Sequence, residues 1–407
     1  KYNGFIENPI DYSEAEVAAM TSLAGVDETS AISAGQYSIS SAEELAKLAR
    51  MTNSGLITGG EFVLASDIDL SAYSAGAGWT PIGTEANGFQ ANFNGNGHTI
   101  TNLRINTEQR LLGLFGKISG AEIKNVGLLN CNVNNTGTGR VPHIGALAAR
   151  TEAGTIENCF STGIVNGSTY VGGLIGATHQ TTTKNCYSEC NVTGIVEAVG
   201  GLIGNPDGAS NHVVNCFASG TVKGNKDVGG LLGSISSHVE NCYATGAVSG
   251  NESVGGLVGL GWSSYAIINS HSTGSVNGKL YTGGLVGWRG NARITSNCYA
   301  SGNVTGEKYT GSVFGCIELT WGGFQEFINV HGYGEVSGTE SVGSFAGGVC
   351  VKKDGTLYGV VGITGCTVIN QNNIPLVGNF LELNGSVYSN LDSYDMSAWL
   401  AGVSTIY

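Results

Sequence analysis

From about residue 120 to 350 the chain alternates short runs of Val, Ile, Leu, Ala and Cys with single Gly, Asn, Ser and Thr, at a recurring spacing. Residues 158–176 read NCFSTGIVNGSTYVGGLIG, residues 215–233 read NCFASGTVKGNKDVGGLLG, and residues 241–259 read NCYATGAVSGNESVGGLVG. The opening Asn recurs as Asn125, Asn158, Asn185, Asn215, Asn241, Asn269, Asn297 and Asn329, in steps of 33, 27, 30, 26, 28, 28 and 32 residues. A Gly-Gly-Leu run recurs at Gly172, Gly200, Gly229, Gly255 and Gly283, loosening to Gly311-Ser312 and Gly343-Ser344. Between these anchors a Val stands two residues before a Gly: Val165, Val192, Val222, Val248, Val276, Val304 and Val336.

Three short β-prone segments per repeat, separated by turn formers, predict one coil of a parallel β-helix. A helical repeat of this length would need apolar residues three and four apart, and that spacing is absent. The expected fold is all-β: a right-handed, single-stranded parallel β-helix of roughly 28-residue coils, about 50 Å long if ten coils stack at the strand spacing.

Stacking explains why a phrase with so little chemistry is repeated. Equivalent residues lie on one another, so each column must suit its own copies. Asn tolerates the left-handed conformation at a bend and can bond its stacked copy. Period 2 after the bend puts Cys242 and Ala244 on one face, Tyr243 and Thr245 on the other. Glu189 falls in the Thr245 column, so that second face should be outward. Cys159, Cys186, Cys216, Cys242 and Cys298 each follow the Asn, and Ser270 and Val330 fill the same slot. A slot that accepts Ser and Val is not a disulfide position; small, buried, reduced residues are expected. The Gly-Gly-Leu segment is a conflict, because Val254 and Val258 share one side under period 2 while Leu257 lies on the other. The Leu column (Leu174, Leu202, Leu231, Leu257, Leu285) is expected to point inward, with neighbouring Gly residues making room.

The ends read differently. Ser41 with Glu44 three residues on is a capping box before an apolar run through Leu45, Leu48 and Ala49. Residues 1–60 are expected to form a helical segment and cap, possession of a second helix near 13–22 included, residues 61–370 the β-helix, and residues 371–407 the opposite cap with a short segment from Met396 to Gly402.

Composition narrows the function. The net charge of −13 argues against nucleic acid. No apolar run reaches the roughly 18 residues of a transmembrane helix. The 66 Gly show no G-x-y period, so collagen is excluded.

The G-G-L-[IV]-G run after N-C-[YF]-x-x-G resembles the GLUG-motif repeat of bacterial cell-surface proteins, including surface regions of immunoglobulin A1 peptidases. Upstream, DIDLSA (Asp67 to Ala72), GWTPIG (Gly78 to Gly83) and FNGNGHTITNL (Phe93 to Leu103) look like the usual entry to such arrays. The resemblance implies an exported, β-helical surface protein and carries no catalytic residues.

Two groups are candidate binding residues. The first is the column Phe160, Tyr187, Phe217, Tyr243, His271, Tyr299 and His331, either a stripe for sugar rings or a self-stabilising ladder. The second is Trp262, Trp288 and Trp321, each after the Gly-Gly-Leu segment on three successive coils, with Tyr265 and Arg289 expected nearby as hydrogen-bond donors to a ligand. His212 and His238 should sit one coil apart but lack a third metal ligand. Asp67 and Asp69 alternate with Ile68 and Leu70 as a strand with a solvated face, and only weakly suggest calcium. No metal, cofactor or catalytic set is expected. The role expected is adhesion or recognition of a glycan or of a host or bacterial surface protein. A structural spacer is the alternative, and a carbohydrate-active β-helix enzyme, which would need grouped carboxylates, is the second.

Overall fold

The computed structural model describes residues 9–137, 141–208, 210–236, 238–262, 265–290, 293–318, 325–352, 361–369, 374–384, 387–390 and 403–406. Their strands form a single continuous parallel β-solenoid. Each strand pairs with its equivalent one coil on: Tyr243 with His271, Val248 with Val276, Gly255 with Gly283, Val258 with Val286. Among the described residues the one antiparallel strand pair lies near the C-terminal end, between Val377–Asn384 and Val387–Asn390.

A regular coil contains five short strands rather than the three predicted. In one coil they are Tyr243–Ala244, Val248–Ser249, Glu252–Gly255, Val258–Gly261 and Ala266–Ile268. One of the extra breaks is a bend that sequence periodicity does not reveal, inside the Gly-Gly-Leu segment at Gly256 and Leu257. Because the chain turns there, the period-2 conflict disappears: Val254, Leu257 and Val258 are all fully buried, as is every member of the Leu column. The glycines permit the turn by close approach. A Cβ on Gly255 would lie 1.9 Å from the Val258 carbonyl oxygen, one on Gly256 2.1 Å from the Gly284 oxygen of the next coil, and one on Gly259 2.4 Å from the Val228 nitrogen of the coil before. Three glycines meet three different pieces of backbone.

The Asn column behaves as its conformation requires. Asn125, Asn158, Asn185, Asn215, Asn241, Asn269, Asn297 and Asn329 all have φ between 50° and 56°. From Asn215 onward each Nδ2 donates to the Oδ1 of the preceding coil: Asn215 to Asn185, Asn241 to Asn215, Asn269 to Asn241, Asn297 to Asn269 and Asn329 to Asn297, at 3.0–3.1 Å. A second run joins Asn158 to Asn125 and Asn125 to Asn94. That run ends on a carboxylate, because Asp11 Oδ2 accepts from Asn94 and from Asn125. A shorter ladder, Asn130 to Asn102, also ends on a carboxylate, that of Asp69. A row of aligned amides needs an acceptor at its last donor, and an ionised carboxylate is the strongest available.

The Cys slot is a hydrogen-bonding position, not merely a small apolar one. Cys186 Sγ accepts the N–H of Cys159 at 3.4 Å and donates to the Lys184 carbonyl at 3.2 Å. Cys216 and Cys242 repeat the arrangement one coil on each time. Ser270 fits because its hydroxyl does the same, accepting from Cys242 N and donating to the Ile268 carbonyl. All five thiols are buried and free. Burial pushes Cys186, Cys216 and Cys242 well above the usual thiol range.

Two helices lie near the N-terminus, and the second packs on the core. α1, Glu14–Ala19, starts at a full capping box between Ser13 and Glu16. α2, Ala42–Asn53, starts at Ser41, whose side chain accepts from Glu44 N. Leu45, Leu48, Ala49 and Met51 of α2 are buried in the same core as Phe62 and Phe89 of the adjacent coils. The segment before α1 is held by side-chain mimicry of a strand. Asn96 Oδ1 accepts from Asp11 N and Tyr12 N, and Asn96 Nδ2 donates to the Tyr12 carbonyl. The stretch from Met396 to Gly402 lies outside the described residues.

Two predictions follow from this packing. Cys186→Ser should be tolerated, whereas Cys186→Ala leaves the buried Cys159 N–H without its acceptor and should cost about 1–3 kcal/mol, read from the denaturant midpoint. In the native protein the five thiols should be silent to a thiol reagent and react after denaturation.

Asp11 gives an acid-sensitive cap. Burial alone would raise its carboxyl, but Lys124 at 2.8 Å and the amides of Asn94 and Asn125 outweigh that and hold it below the usual range. A lowered folded-state value means the stabilisation is complete above the unfolded value of about 4 and is lost as pH falls through the folded one. Hydrogen exchange should show the Tyr12 and Val17 amides opening at acid pH, and at neutral pH in Asp11→Ala, before the coils do.

Candidate functional site

The aromatic column is a ladder that covers itself. Ring centroids from Phe160 through Tyr187, Phe217, Tyr243 and His271 to Tyr299 are 4.5–5.2 Å apart, with planes within 7° of parallel. His331 instead stacks on Tyr333 at 5.7 Å. Offset stacking at this spacing stabilises parallel strands and spends the ring faces that a sugar would need. Tyr243 is only 8% exposed, and the other rings show only part of their surface. Burial lowers the pKa of His271, so the ladder favours its neutral form.

The tryptophan edge differs from the sequence expectation. Trp262 is 60% exposed. Trp288 is half-buried: it meets Tyr281 edge-on at 4.5 Å and donates Nε1 to Glu318 at 3.3 Å. Trp321 lies outside the described residues. Tyr265 and Arg289 do not stand at the surface; both are fully buried in the core. The strand Val286–Arg289 runs on past Trp288, so Trp288 points out and Arg289 in. Arg289 occupies the column of Gly261 and Ile317. Its guanidinium lies 4.1 Å from the Phe327 ring centroid, and its Nε donates to Thr295 Oγ1. The Tyr265 ring fills the space that a side chain at Gly261 would take. Nor do the tryptophans stack: Trp288 is in register with Leu260, two residues before Trp262.

A second left-handed column escaped the sequence reading. Tyr170, Ala198, Asp227, Ser253, Tyr281, Tyr309 and Ser341 all have φ between 49° and 57°. Residue types so different give no column signal. Each stands seven residues before a member of an outward column, Ala177, Asn205, Ser234, Leu260, Trp288, Cys316 and Gly348, and the Gly-Gly-Leu bend turns the two columns toward each other. Tyr281 touches Trp288 in this way, and Tyr309 and Cys316 share a small apolar cluster outside the main core. Asp227 is buried there with Oδ1 unpartnered. Burial, opposed by Lys226 and reinforced by Glu197 and Glu252, raises its pKa to about 7.

Toward the N-terminal coils the same two columns open into a cavity of about 280 Å³. Ala177 stands between Arg150 and Asn205 in its column, so a methyl group sits where its neighbours carry longer chains. One wall is made by the His143 and Tyr170 rings, 5.1 Å apart. The opposite wall is the in-register pair His179 and Asp207, and Arg110 completes the rim. Counting on from the paired residues Ile203 and Leu232, then Ile235 and Gly261, Trp262 falls in the column of His179 and Asp207, two coils beyond Asp207.

The weaker candidates resolve simply. His212 and His238 are register partners, and His238 leans on Glu240. Asp67 accepts from Thr99 N, and Asp69 from Ser71 and Asn102. Among the described residues no group of three or more His, Cys, Asp or Glu is placed to hold a metal ion, and no helix is long and apolar enough to cross a membrane.

With the coil geometry in hand, the match of residues 224–249 to the GLUG motif acquires a physical meaning: it spans one coil from the Val-Gly-Gly bend through the Asn corner to the next Val. The chain carries a GLUG motif. Halomucin of Haloquadratum walsbyi is 34% identical over 137 residues, 31% of this chain and 1% of that protein. A protein of Evansella cellulosilytica, provisionally named a Gly-rich membrane protein, is 51% identical over 63 residues, 15% of this chain and 7% of its own. The chain thus spans a small fraction of the length of these relatives. A crystal structure from Bacteroides ovatus, provisionally titled an immunoglobulin A1 protease, aligns over 89% of this chain and 80% of that one, with a TM-score of 0.45 at 19% identity.

The ladder reading has a direct test. Tyr243 is sandwiched between Phe217 at 4.8 Å and His271 at 5.2 Å. Tyr243→Ala should cost about 2 kcal/mol or more in thermal or denaturant unfolding, while Thr245→Ala, exposed two residues away, should change stability by less than about 0.5 kcal/mol.

Proposed function

We propose that the chain is a non-catalytic surface or secreted protein that recognises a glycan or another surface protein through one side face of its solenoid. The observation that carries this reading is Trp262, an indole 60% exposed on a rigid coil and in line with the cavity-lining His179 and Asp207. Exposed indoles of this kind cost solubility and supply binding energy when covered. The stacked column of Phe160 to Tyr299 is structural in this reading, since its ring faces are already occupied.

The second reading, a spacer that holds another domain at a distance, is favoured by the same ladder, which stiffens the rod along its length. The two readings separate on Trp262. Binding to an array of glycans and surface proteins should be found, and Trp262→Ala should weaken it by roughly thirtyfold with an unchanged melting temperature. Trp288→Ala is the contrast: its ring packs on Tyr281, so that variant should melt earlier. Binding that ignores Trp262→Ala would place the site elsewhere, and an array without any hit would favour the spacer.

A further inference from the structure

The cavity beside Ala177 has a chemistry of its own. The chain has 18 Lys and Arg against 31 Asp and Glu, yet two guanidiniums line this one recess. Each pairs with one carboxylate, Arg110 with Glu85 at 3.4 Å and Arg150 with Glu152 at 2.6 Å. Arg110 also donates Nε to the Val141 carbonyl. A guanidinium has five N–H donors, so both retain capacity for a further anion. His143 is 6% exposed and its Nδ1 has no partner. Burial first, then the two neighbouring arginines, lower its pKa to about 4, so at neutral pH its ring is an uncharged hydrogen-bonding wall. Asp207 offers a carboxylate that accepts from hydroxyls, and the Tyr170 ring beside His143 offers a flat apolar surface.

Size restricts the occupant. A recess of about 280 Å³ falls just below the roughly 300–1,000 Å³ range of small-molecule sites. It suits one compact unit and excludes an extended chain. The unit must carry an anion for the arginine pair and hydroxyls for Asp207 and Asn205, which a simple carboxylate or phosphate lacks.

The geometry points to a subsite for a single acidic sugar, its carboxylate held by Arg110 and Arg150 and its hydroxyls by Asp207, His143 and Asn205. The sugar can be free or the terminal residue of a glycan. This deepens the proposed role and rests on it, because it assigns the substrate class to the same face that carries Trp262. The location of the recess follows from Ala177: any longer side chain in that register position would fill it.

The probe is D-glucuronate, with D-glucose as the same ring lacking the carboxylate and acetate as the carboxylate lacking the ring. Imidazole resonances of His143 and His179 in the wild-type protein should shift saturably with glucuronate. Glucose and acetate should each bind at least tenfold more weakly. Arg150→Ala should weaken glucuronate binding by roughly ten- to a hundredfold, the loss typical of a charge-assisted hydrogen bond, and Ala177→Leu should abolish it by filling the recess. An oligosaccharide ending in glucuronate should bind more tightly than the monosaccharide and lose that gain in Trp262→Ala if the natural ligand is a glycan terminus; equal affinity would assign the free sugar. The inference is overturned if glucose or acetate matches glucuronate, or if the wild-type resonances do not move. The wild-type titration stands whether or not a variant folds. Failure here with a Trp262-dependent hit on the array would remove only the subsite, whereas saturable glucuronate binding with no array hit would remove the extended face and keep the subsite.

Discussion

The whole structure depends on like residues stacking on like. A parallel coil pairs each strand with its own copy, so a side chain must be compatible with itself at one strand spacing along the axis. Few groups satisfy that condition. An amide can, by donating to the next amide; a flat ring can, by offset stacking; a thiol or hydroxyl can, by accepting one backbone N–H and donating to one carbonyl. A charge does so poorly, and several outward positions show the remedy. Glu197, Lys226 and Glu252 alternate in register, as do Lys308 and Glu340. The repeated phrase is therefore poor in catalytic chemistry because self-compatibility is what selects it.

The same condition decides what could be read without coordinates. The Asn column was legible because one residue type meets two demands at once, a left-handed backbone and a self-bonding side chain. The Leu column could be placed inside because its neighbouring Gly residues make room for it, although the bend that allows it was visible only as a conflict of period. The second left-handed column was illegible. Tyr281, Ser253 and Ala198 share φ near 55° but no chemistry; Tyr281 does stack on its own copy Tyr309, at 5.3 Å, but the Ser and Ala of the column have no ring to extend that stack. Non-Gly residues in this conformation cost about 1–2 kcal/mol each, and close backbone packing of the following coil against them, such as Gly259 on Asp227, holds them there.

Arg289 and Tyr265 mark the other limit. Polar residues after a Trp, in a segment of variable length, read as a surface loop. The strand simply continues through Arg289, and one more residue of strand reverses the side on which a side chain falls. Gly261 beneath it clears the space that Tyr265 fills, so a polar insertion into the tube depends on a vacancy one coil earlier. Sequence spacing within a coil carries no record of that vertical exchange.

Vertical exchange is also how such a rod could acquire a site without losing its stack. Backbone pairing fixes the register of every column whatever the outward side chain is, so a short residue among long ones becomes a recess rather than a collapse. Ala177 between Arg150 and Asn205 is that case, and the neighbouring columns supply the walls. Further along the same two columns the residues close over one another: Asp227 and Ser234 are buried, and Tyr281 with Trp288 and Tyr309 with Cys316 form the small outer cluster. The difference between an open pocket and a sealed surface on this face is thus a matter of side-chain length in register, and it can change coil by coil while the Asn, Cys and Leu columns remain untouched.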